Sequence, residues 1–269
     1  MWYIDLANKS VNSVKTLSIG LDRIANAGGA GRLLIDDLRL YSHARPQVTP
    51  VAPEATGLQA QYAFDGDARD SSGQGRNGTL QGGATFAAGK IGQALSLDGV
   101  DDTVTIPGYK GILADAAGVQ HAFTVCAWIK TAVTGMEIVA WGTNVSGQRL
   151  NFRVDTVLRL EHAGGNMRAT NGPSLLDDRW HHVAGTVPEA GTMMDVKLYV
   201  DGRDVSAPGS STTAFNLTAN VDVAIGSGGP VTGRFFKGLI DDVRIYDRVL
   251  SAGEIAGMAG LTIPYDRSF

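Results

Sequence analysis

The sequence predicts an all-β protein, either a sandwich or a barrel, and three observations lead to this prediction. Short runs of strand-forming residues recur along the whole chain, with turn-forming clusters of Gly, Asn, Asp and Ser between them. Glycine accounts for 35 of 269 residues, about 13% and near twice the usual share, which favours turns over long helices. Helical signals are few, and the best is a capping box from Ser251 to Glu254 that opens about two turns ending at Met258.

The predicted strands follow one another at short intervals. Within the run 195–201, Val196, Leu198 and Val200 share one face, and Asp201-Gly202 predicts a hairpin turn. The run 123–129 is apolar on both faces, which predicts a central strand covered on both sides. The runs are 58–64, 94–97, 103–106, 123–130, 137–141, 150–154, 180–187, 195–200, 221–225 and 239–246.

Composition excludes several classes of function. With 23 basic and 27 acidic residues the net charge is −4, so the chain lacks the basic footprint of a nucleic-acid-binding protein. No apolar run reaches the roughly 18 residues of a membrane span. A single cysteine, Cys126, allows neither an internal disulfide nor a cysteine zinc cluster. Five glutamates without a second carboxylate at strand spacing, and no nucleophile elbow or phosphate loop, predict that the chain is not an enzyme.

A proline-rich stretch divides the chain. Residues 44–56 contain three prolines and are predicted to form a semi-rigid linker between residues 1–43 and 57–269. The two parts end alike: 18–20 and 31–41 (SIG, GRLLIDDLRLY) correspond to 224–226 and 238–246 (AIG, GLIDDVRIY). Because a lone strand pair is marginally stable, we expect 1–43 to be the C-terminal fragment of an upstream β-sandwich, completed by neighbouring domains or subunits.

The run 238–251 (GLIDDVRIYDRVLS) resembles the closing motif of the laminin-G-like, concanavalin-A-like jelly-roll family. Residues 62–80 resemble its opening, 92–104 its second strand block, and 123–128 and 180–185 its central strands. The resemblance covers about 57–259 and implies a two-sheet antiparallel jelly roll in which Trp128 and Trp180 lie in core strands. The shorter run 18–41 is similar to the ends of carbohydrate-binding-type sandwich domains in large bacterial secreted proteins.

The resemblance also implies a function class. Members of the family are mostly non-catalytic modules of extracellular proteins that bind glycans, proteins or each other, and many carry structural calcium. The expected role is therefore a carbohydrate-binding module of a larger extracellular or cell-surface protein, its signal peptide lying upstream of this chain. The alternative is a structural or adhesive repeat that assembles through strand sharing or tandem domain contacts, without a small ligand.

Candidate ligand-binding residues lie in the middle of the chain. Trp141 ends a predicted strand beside a glycine-containing loop, where an indole ring could stack on a sugar. Arg149 and Arg153 follow it and could donate paired hydrogen bonds to hydroxyls or to the carboxylates of an acidic glycan. The adjacent His181 and His182 point to opposite faces of a strand, so they cannot share a metal ion.

Candidate calcium ligands lie in an acidic, glycine-rich turn. Asp65, Asp70 and Asn77 offer hard oxygen ligands, and Asp241 can join them because first and last strands are neighbours in a jelly roll. The alternative is that Asp70 caps a turn and Asp65 accepts backbone N–H groups. A second acidic turn, 98–102, is interpreted as a β-turn.

Overall fold

A computed structural model of the chain describes residues 47–163, 166–172, 174–208, 211–218, 221–229 and 234–266, with the backbone alone for 166–169 and 266. The predicted upstream fragment, residues 1–43, lies outside the described residues. Among the described residues, no helix is both long and apolar enough to cross a membrane.

The described residues form seventeen β-strands and one α-helix, in agreement with the predicted all-β class. In chain order they are β1 (Gln47–Val48), β2 (Leu58–Tyr62), β3 (Thr79–Gln81), β4 (Thr85–Ala88), β5 (Gln93–Asp98), β6 (Thr103–Ile106), β7 (Phe123–Lys130), β8 (Met136–Gly142), β9 (Arg149–Val154), β10 (Leu158–His162), β11 (Asn166–Ala169), β12 (Trp180–Val187), β13 (Lys197–Val200), β14 (Arg203–Asp204), β15 (Val223–Ile225), β16 (Lys237–Tyr246), α1 (Ala252–Met258) and β17 (Tyr265–Asp266).

Two antiparallel sheets make up the sandwich, as predicted. One has seven strands in the order β11-β10-β9-β8-β15-β6-β3, and the other has eight, β14-β13-β12-β7-β16-β5-β4 with β2 paired to β16. The long closing strand β16 pairs with β7, β5 and β2, which places it near the centre of its sheet.

Alternate residues of facing strands fill the space between the sheets. Leu150, Phe152 and Val154 on β9 belong to the same buried cluster as Val125 and Ile129 on β7. Fully burying one such side chain stabilises the fold by about 1.5–3 kcal/mol, so this layer supplies the main driving force for folding. The residues between them point to the two outer faces of the sandwich.

Helix α1 covers part of the outer face of the eight-stranded sheet. Ile255 is fully buried there and packs in one cluster with Cys126, Tyr246 and Leu250. The helix begins with the predicted capping box: the Ser251 side chain accepts the N–H of Glu254, whose carboxylate accepts the N–H of Ser251. This satisfies backbone donors that a helix start otherwise leaves free.

Part of the predicted linker packs against the module. Strand β1 pairs with β17, and the N–H of Val51 donates to the carbonyl of Gly253 in α1 at 2.9 Å. A Cβ on Gly257 would lie 2.0 Å from the carbonyl oxygen of Val51, so this approach requires glycine. Residues 47–51 thus pack against β17 and α1.

Bulges in β8 and β16 determine which face the later residues of these strands take, and β2 has a further register shift opposite Ile245 and Tyr246. On β8 one extra residue lies between Glu137, which pairs with Arg153, and Val139, which pairs with Phe152. On β16 an extra residue lies between Asp241 and Arg244, and Asp242 there has φ 43°. Because side chains alternate with a period of two, one extra residue reverses the faces of all that follow.

The two tryptophans expected in core strands, Trp128 and Trp180, differ in their burial. Trp128 is buried, 6% exposed, on the outer face of its sheet, where the Lys90 ammonium lies 4.5 Å from the ring centroid. Trp180 is partly exposed at the first position of β12. The predicted hairpin turn at Asp201-Gly202 is present between β13 and β14.

Candidate functional site

Charged side chains collect on the outer face of the seven-stranded sheet, here termed the polar face. Strand β9 alternates apolar Leu150, Phe152 and Val154 toward the core with polar residues toward the outside. Register then aligns these polar residues with others on β8 and β10, since Glu137 pairs with Arg153 and Asn151 with Glu161. The polar face comprises Glu137, Arg149, Asn151, Arg153, Arg159, Glu161 and Arg234.

Ion pairs link these residues into one network. Both oxygens of Glu161 accept from Nη1 of Arg153, at 3.0 and 3.1 Å. Nη1 of Arg234 donates to Oε1 of Glu137 at 3.1 Å and lies 3.9 Å from Oε2 of Glu161. Two glutamates on non-adjacent strands, with no signal in the sequence that they meet, therefore approach the same guanidinium.

Several polar atoms of the network are buried without a hydrogen-bond partner among the described residues. They are Oε2 of Glu137, Nε of Arg153 and Nε of Arg159. Burial raises the pKa of Glu137 to about 7, although Arg234, Arg153 and Arg149 lower it in part. An unsatisfied buried polar group costs about 1–3 kcal/mol, so the two unpaired arginine donors mark a place where a ligand can supply the missing hydrogen bonds.

The prediction that Trp141 is an exposed stacking platform is wrong. Its side chain is 1% exposed and packs edge-to-face on Phe123, with ring centroids 5.4 Å apart. A Cβ on Gly111 would lie 2.6 Å from the indole, so the loop backbone covers the ring. The β8 bulge is the reason: in a regular strand Trp141 would share the face of Glu137, and the extra residue turns it into the core.

The structure brings Arg149 and Arg153 to one face, but their guanidinium groups differ in their hydrogen bonds. Arg149 is 2% exposed, and its donors reach Oδ1 of Asn151 and the carbonyl oxygen of Gly228. Burial lowers its pKa. Arg149 therefore supports Asn151 and the 226–229 turn, whereas the Arg153 side chain retains an unpaired Nε.

The predicted calcium ligands Asp65, Asp70, Asn77 and Asp241 do not form one site. Asp65 accepts the N–H of Gln93, and Asp241 accepts the N–H groups of Lys90 and Ile91, so both carboxylates cap the turn between β4 and β5. Burial raises the pKa of Asp241. The β16 bulge places Asp241 opposite Trp128, away from the core face that Val243 occupies.

Asp70 and Asn77 serve a separate turn. Asp70 accepts backbone N–H groups of Gln61, Ser72 and Arg76, and its own N–H donates to Oδ1 of Asn77. Although burial alone would raise it, these hydrogen bonds, with that of the Ser72 side chain, lower the pKa of Asp70. The turn-cap alternative therefore describes both acidic positions.

Across the described residues, one group of at least three candidate metal ligands brings its atoms within 4.8 Å, and it is Asp98, Asp101 and Asp102. The turn was predicted, but the convergence of its carboxylates was not. Asp102 accepts the N–H groups of Gly83 and Asp98, and Asp98 accepts that of Val100. Asp101 and Asp98 are exposed.

The two adjacent histidines point apart, as expected, and both are buried. His181 bonds Asp201 through Nδ1 at 2.9 Å and Asp177 through Nε2 at 3.1 Å, and these contacts, led by Asp201, raise its pKa. His182 is 2% exposed beside Trp128, and burial lowers its pKa to about 4.

A cleft of about 420 Å³ lies elsewhere, at one end of the sandwich. It is lined by Gln59, residues 111–114, His121, Glu189 and Asp247. Its polar side chains are paired with one another, as in the contacts of His121 with Glu189 and of Gln59 with Asp247. The unpaired atoms of Glu137, Arg153 and Arg159 belong to the polar face instead, while other buried unpaired atoms, such as Oδ1 of Asp241 and Nδ1 of His182, lie in other parts of the described fold.

Comparison with known proteins defines the class. Residues 98–256 match the laminin-G-type profile described as the concanavalin A-like lectin/glucanases superfamily, and the chain belongs to this family. A rat protein, Sushi, von Willebrand factor type A, EGF and pentraxin domain-containing protein 1, is 26% identical over 159 residues. That match spans 52% of this chain and only 4% of the rat protein.

Two solved structures share the fold. Domain 4 of AbnA, an extracellular arabinanase of Geobacillus stearothermophilus solved with arabinotriose, has a TM-score of 0.58 and 24% identity, covering 77% of this chain and all of that domain. The binding domain of Paraclostridial Mosquitocidal Protein 1 has a TM-score of 0.54 and 16% identity, covering 76% of this chain and 52% of that one.

Proposed function

We propose that this module is a non-catalytic carbohydrate-binding domain whose ligand lies on the polar face. The observation that carries the proposal is the pair of unpaired guanidinium donors there, the Nε atoms of Arg153 and Arg159. Sugar hydroxyls accept hydrogen bonds as well as donate them, so one ligand can satisfy both arginine donors.

The accessible part of the face fits this role. The side chains of Arg159 and Arg234 are 25% and 39% exposed, whereas those of Arg153 and Glu161 lie deeper, at 9% and 14%. Arginine forks and carboxylates held by neighbours are pre-organised, which reduces the entropy lost on binding. Recognition here would rest on hydrogen bonds, since Trp141 is in the core.

The comparisons support the same class of ligand and setting. The arabinanase domain was solved in complex with arabinotriose. The rat relative's name lists several kinds of domain, which supports a place for this chain in a larger multidomain protein, and we propose an extracellular location for it.

Titration calorimetry with arabinotriose and a panel of neutral and acidic oligosaccharides tests the proposal. We expect the wild-type chain to bind one saccharide class, and Arg153→Met and Arg159→Met each to weaken that binding about tenfold, the value of one charged hydrogen bond. Glu189→Gln, in the separate cleft, is the matched control and should bind as the wild type does. Prolonged incubation should leave the saccharide uncleaved.

Three results would contradict the proposal. Loss of binding in Glu189→Gln would move the site to the cleft. Unchanged binding in both arginine variants would remove it from the polar face. Absence of saccharide binding together with concentration-dependent self-association would favour the structural or adhesive repeat.

We also propose that Asp98, Asp101 and Asp102 hold a structural Ca²⁺. Their carboxylates converge within 4.8 Å, which fits a hard cation preferring oxygen ligands. Both oxygens of Asp102 also accept backbone N–H groups, whereas Asp98 uses only Oδ1 in this way. At a hundredfold excess over Kd, Ca²⁺ would stabilise the fold by about 2.7 kcal/mol, or about 5–10 °C in Tm. Asp101→Asn should abolish this shift and Asp65→Asn should retain it; a chelator that leaves the wild-type Tm unchanged would contradict the site.

A further inference from the structure

Glu137 and Arg234, which form an ion pair on the polar face, differ in how far they are exposed to solvent. Glu137 is fully buried, while the side chain of Arg234, which it holds through Oε1, is 39% exposed. A buried carboxylate cannot reach a saccharide on the surface. It can, however, fix the direction in which the more exposed guanidinium points.

The Arg234 guanidinium needs to be held in place because two carboxylates compete for it. Arg234 lies 3.1 Å from Glu137 and 3.9 Å from Glu161, so two carboxylates attract the same guanidinium. Glu161 is itself engaged by Arg153 through both oxygens. Removing the charge of Glu137 would leave Arg234 free to turn toward Glu161 or into solvent.

We propose that Glu137 is a positioning residue, which holds the Arg234 guanidinium in place for hydrogen bonding to saccharide hydroxyls and controls binding through its ionisation. This role rests on the proposed function, because it concerns the same face and the same ligand. It assigns Arg234 to the ligand contact and Glu137 to the layer beneath it.

The sign of the pH dependence follows from the burial of Glu137. Its pKa of about 7 means that acidification protonates it near neutrality. The protonated acid loses its ion pair with Arg234, so affinity falls as pH decreases. Facing charged groups are Arg149 and Arg153 on β9, Arg159 and Glu161 on β10, Asp155 in the intervening turn, and Arg234.

Stability should move in the opposite direction. The carboxyl has its ordinary pKa, about 4.3, in the unfolded chain. Between that value and about 7 the folded state therefore binds the proton more tightly, and acidification stabilises it. A merely structural role for Glu137 would change binding and stability together.

The test measures arabinotriose affinity and urea unfolding of the full chain at pH 5.5 and 8.5, for the wild type and Glu137→Gln. We expect wild-type affinity to fall about tenfold at pH 5.5, the value of one charged hydrogen bond. Glu137→Gln should bind with the low affinity at both pH values. Acidification from pH 8.5 to 5.5 should stabilise the wild type but not Glu137→Gln, so the unfolding free energy of the variant minus that of the wild type should decrease.

Arg234→Met provides a second variant, because its partly exposed side chain is not needed to fill the core. It should flatten the pH profile in the same way, whereas Glu189→Gln should reproduce the wild-type profile. Equal wild-type affinity at both pH values, or a wild-type profile in Glu137→Gln, would overturn the role of Glu137 and leave the proposed function intact. Failure of the wild type to bind arabinotriose or any saccharide of the panel at either pH would overturn both.

Discussion

The outer faces of the two sheets have opposite characters. On the eight-stranded sheet, helix α1 buries Ile255 against Cys126 and Tyr246 in an apolar cluster. On the seven-stranded sheet, the corresponding outward positions hold a network of arginines and glutamates linked by ion pairs.

The difference indicates that the face covered by α1 contributes mainly to stability, whereas we propose that the polar face contributes to recognition. The covered face gains free energy from apolar burial, and its helix start is satisfied by its own cap. The polar face instead buries charged groups, some of them with unpaired atoms that cost about 1–3 kcal/mol each. Three substitutions test this contrast, in order of decreasing effect on stability.

Ile255→Ala should cause the largest loss of stability. It removes a fully buried side chain between α1 and the sheet, and such truncations cost about 2–5 kcal/mol. Ile263→Ala, at a position 53% exposed, should change stability by less than about 0.5 kcal/mol. Urea midpoints measure both. If Ile255→Ala also abolished saccharide binding in the folded state, the two faces would not be independent.

Glu254→Gln should remove the acid-sensitive part of the stabilisation that the cap of helix α1 provides. The Arg248 side chain, with Ser251, lowers the pKa of Glu254 to about 2, below its unfolded value. Its stabilisation, about 1–3 kcal/mol, is present above about pH 4.3 and is lost as pH falls toward about 2. Unfolding curves from pH 7 to 2 should show this loss in the wild type and not in the variant. Parallel curves would exclude a role for the cap in acid stability.

Arg149→Met should have the smallest effect, on the polar face. It keeps the aliphatic stem but leaves Oδ1 of Asn151 and the carbonyl of Gly228 without this donor, at a cost of about 1–2 kcal/mol. Arg179→Met, with a side chain 82% exposed, is the control and should be neutral. Saccharide affinity should fall less than in Arg153→Met. A larger fall would make Arg149 a direct ligand contact.

Regular strands were predictable and bulged strands were not. Alternation along β9 places Arg149 and Arg153 on one face as the pattern indicates. On β8 and β16, a single extra residue sends Trp141 into the core and separates Asp241 from the face of Val243. The sequence pattern could have placed Arg159 and Glu161 on one face, because they alternate with the buried Leu158 and Leu160. Arg234 lies in a segment without such a periodicity, so no pattern predicts its position.

The sequence by itself determined the all-β class and the capped helix, because apolar periodicity, turn residues and the capping box act over a few neighbouring residues. Its resemblance to the laminin-G-like motifs added the family and the two-sheet architecture. Only the tertiary structure decided which charged residues meet. The Glu137–Arg234–Glu161 contacts join three separate segments, and the carboxylates of Asp98, Asp101 and Asp102 converge through the shape of one turn. Bulges and long-range register depend on the strands that pair across the sheet, and a local pattern carries no record of those partners.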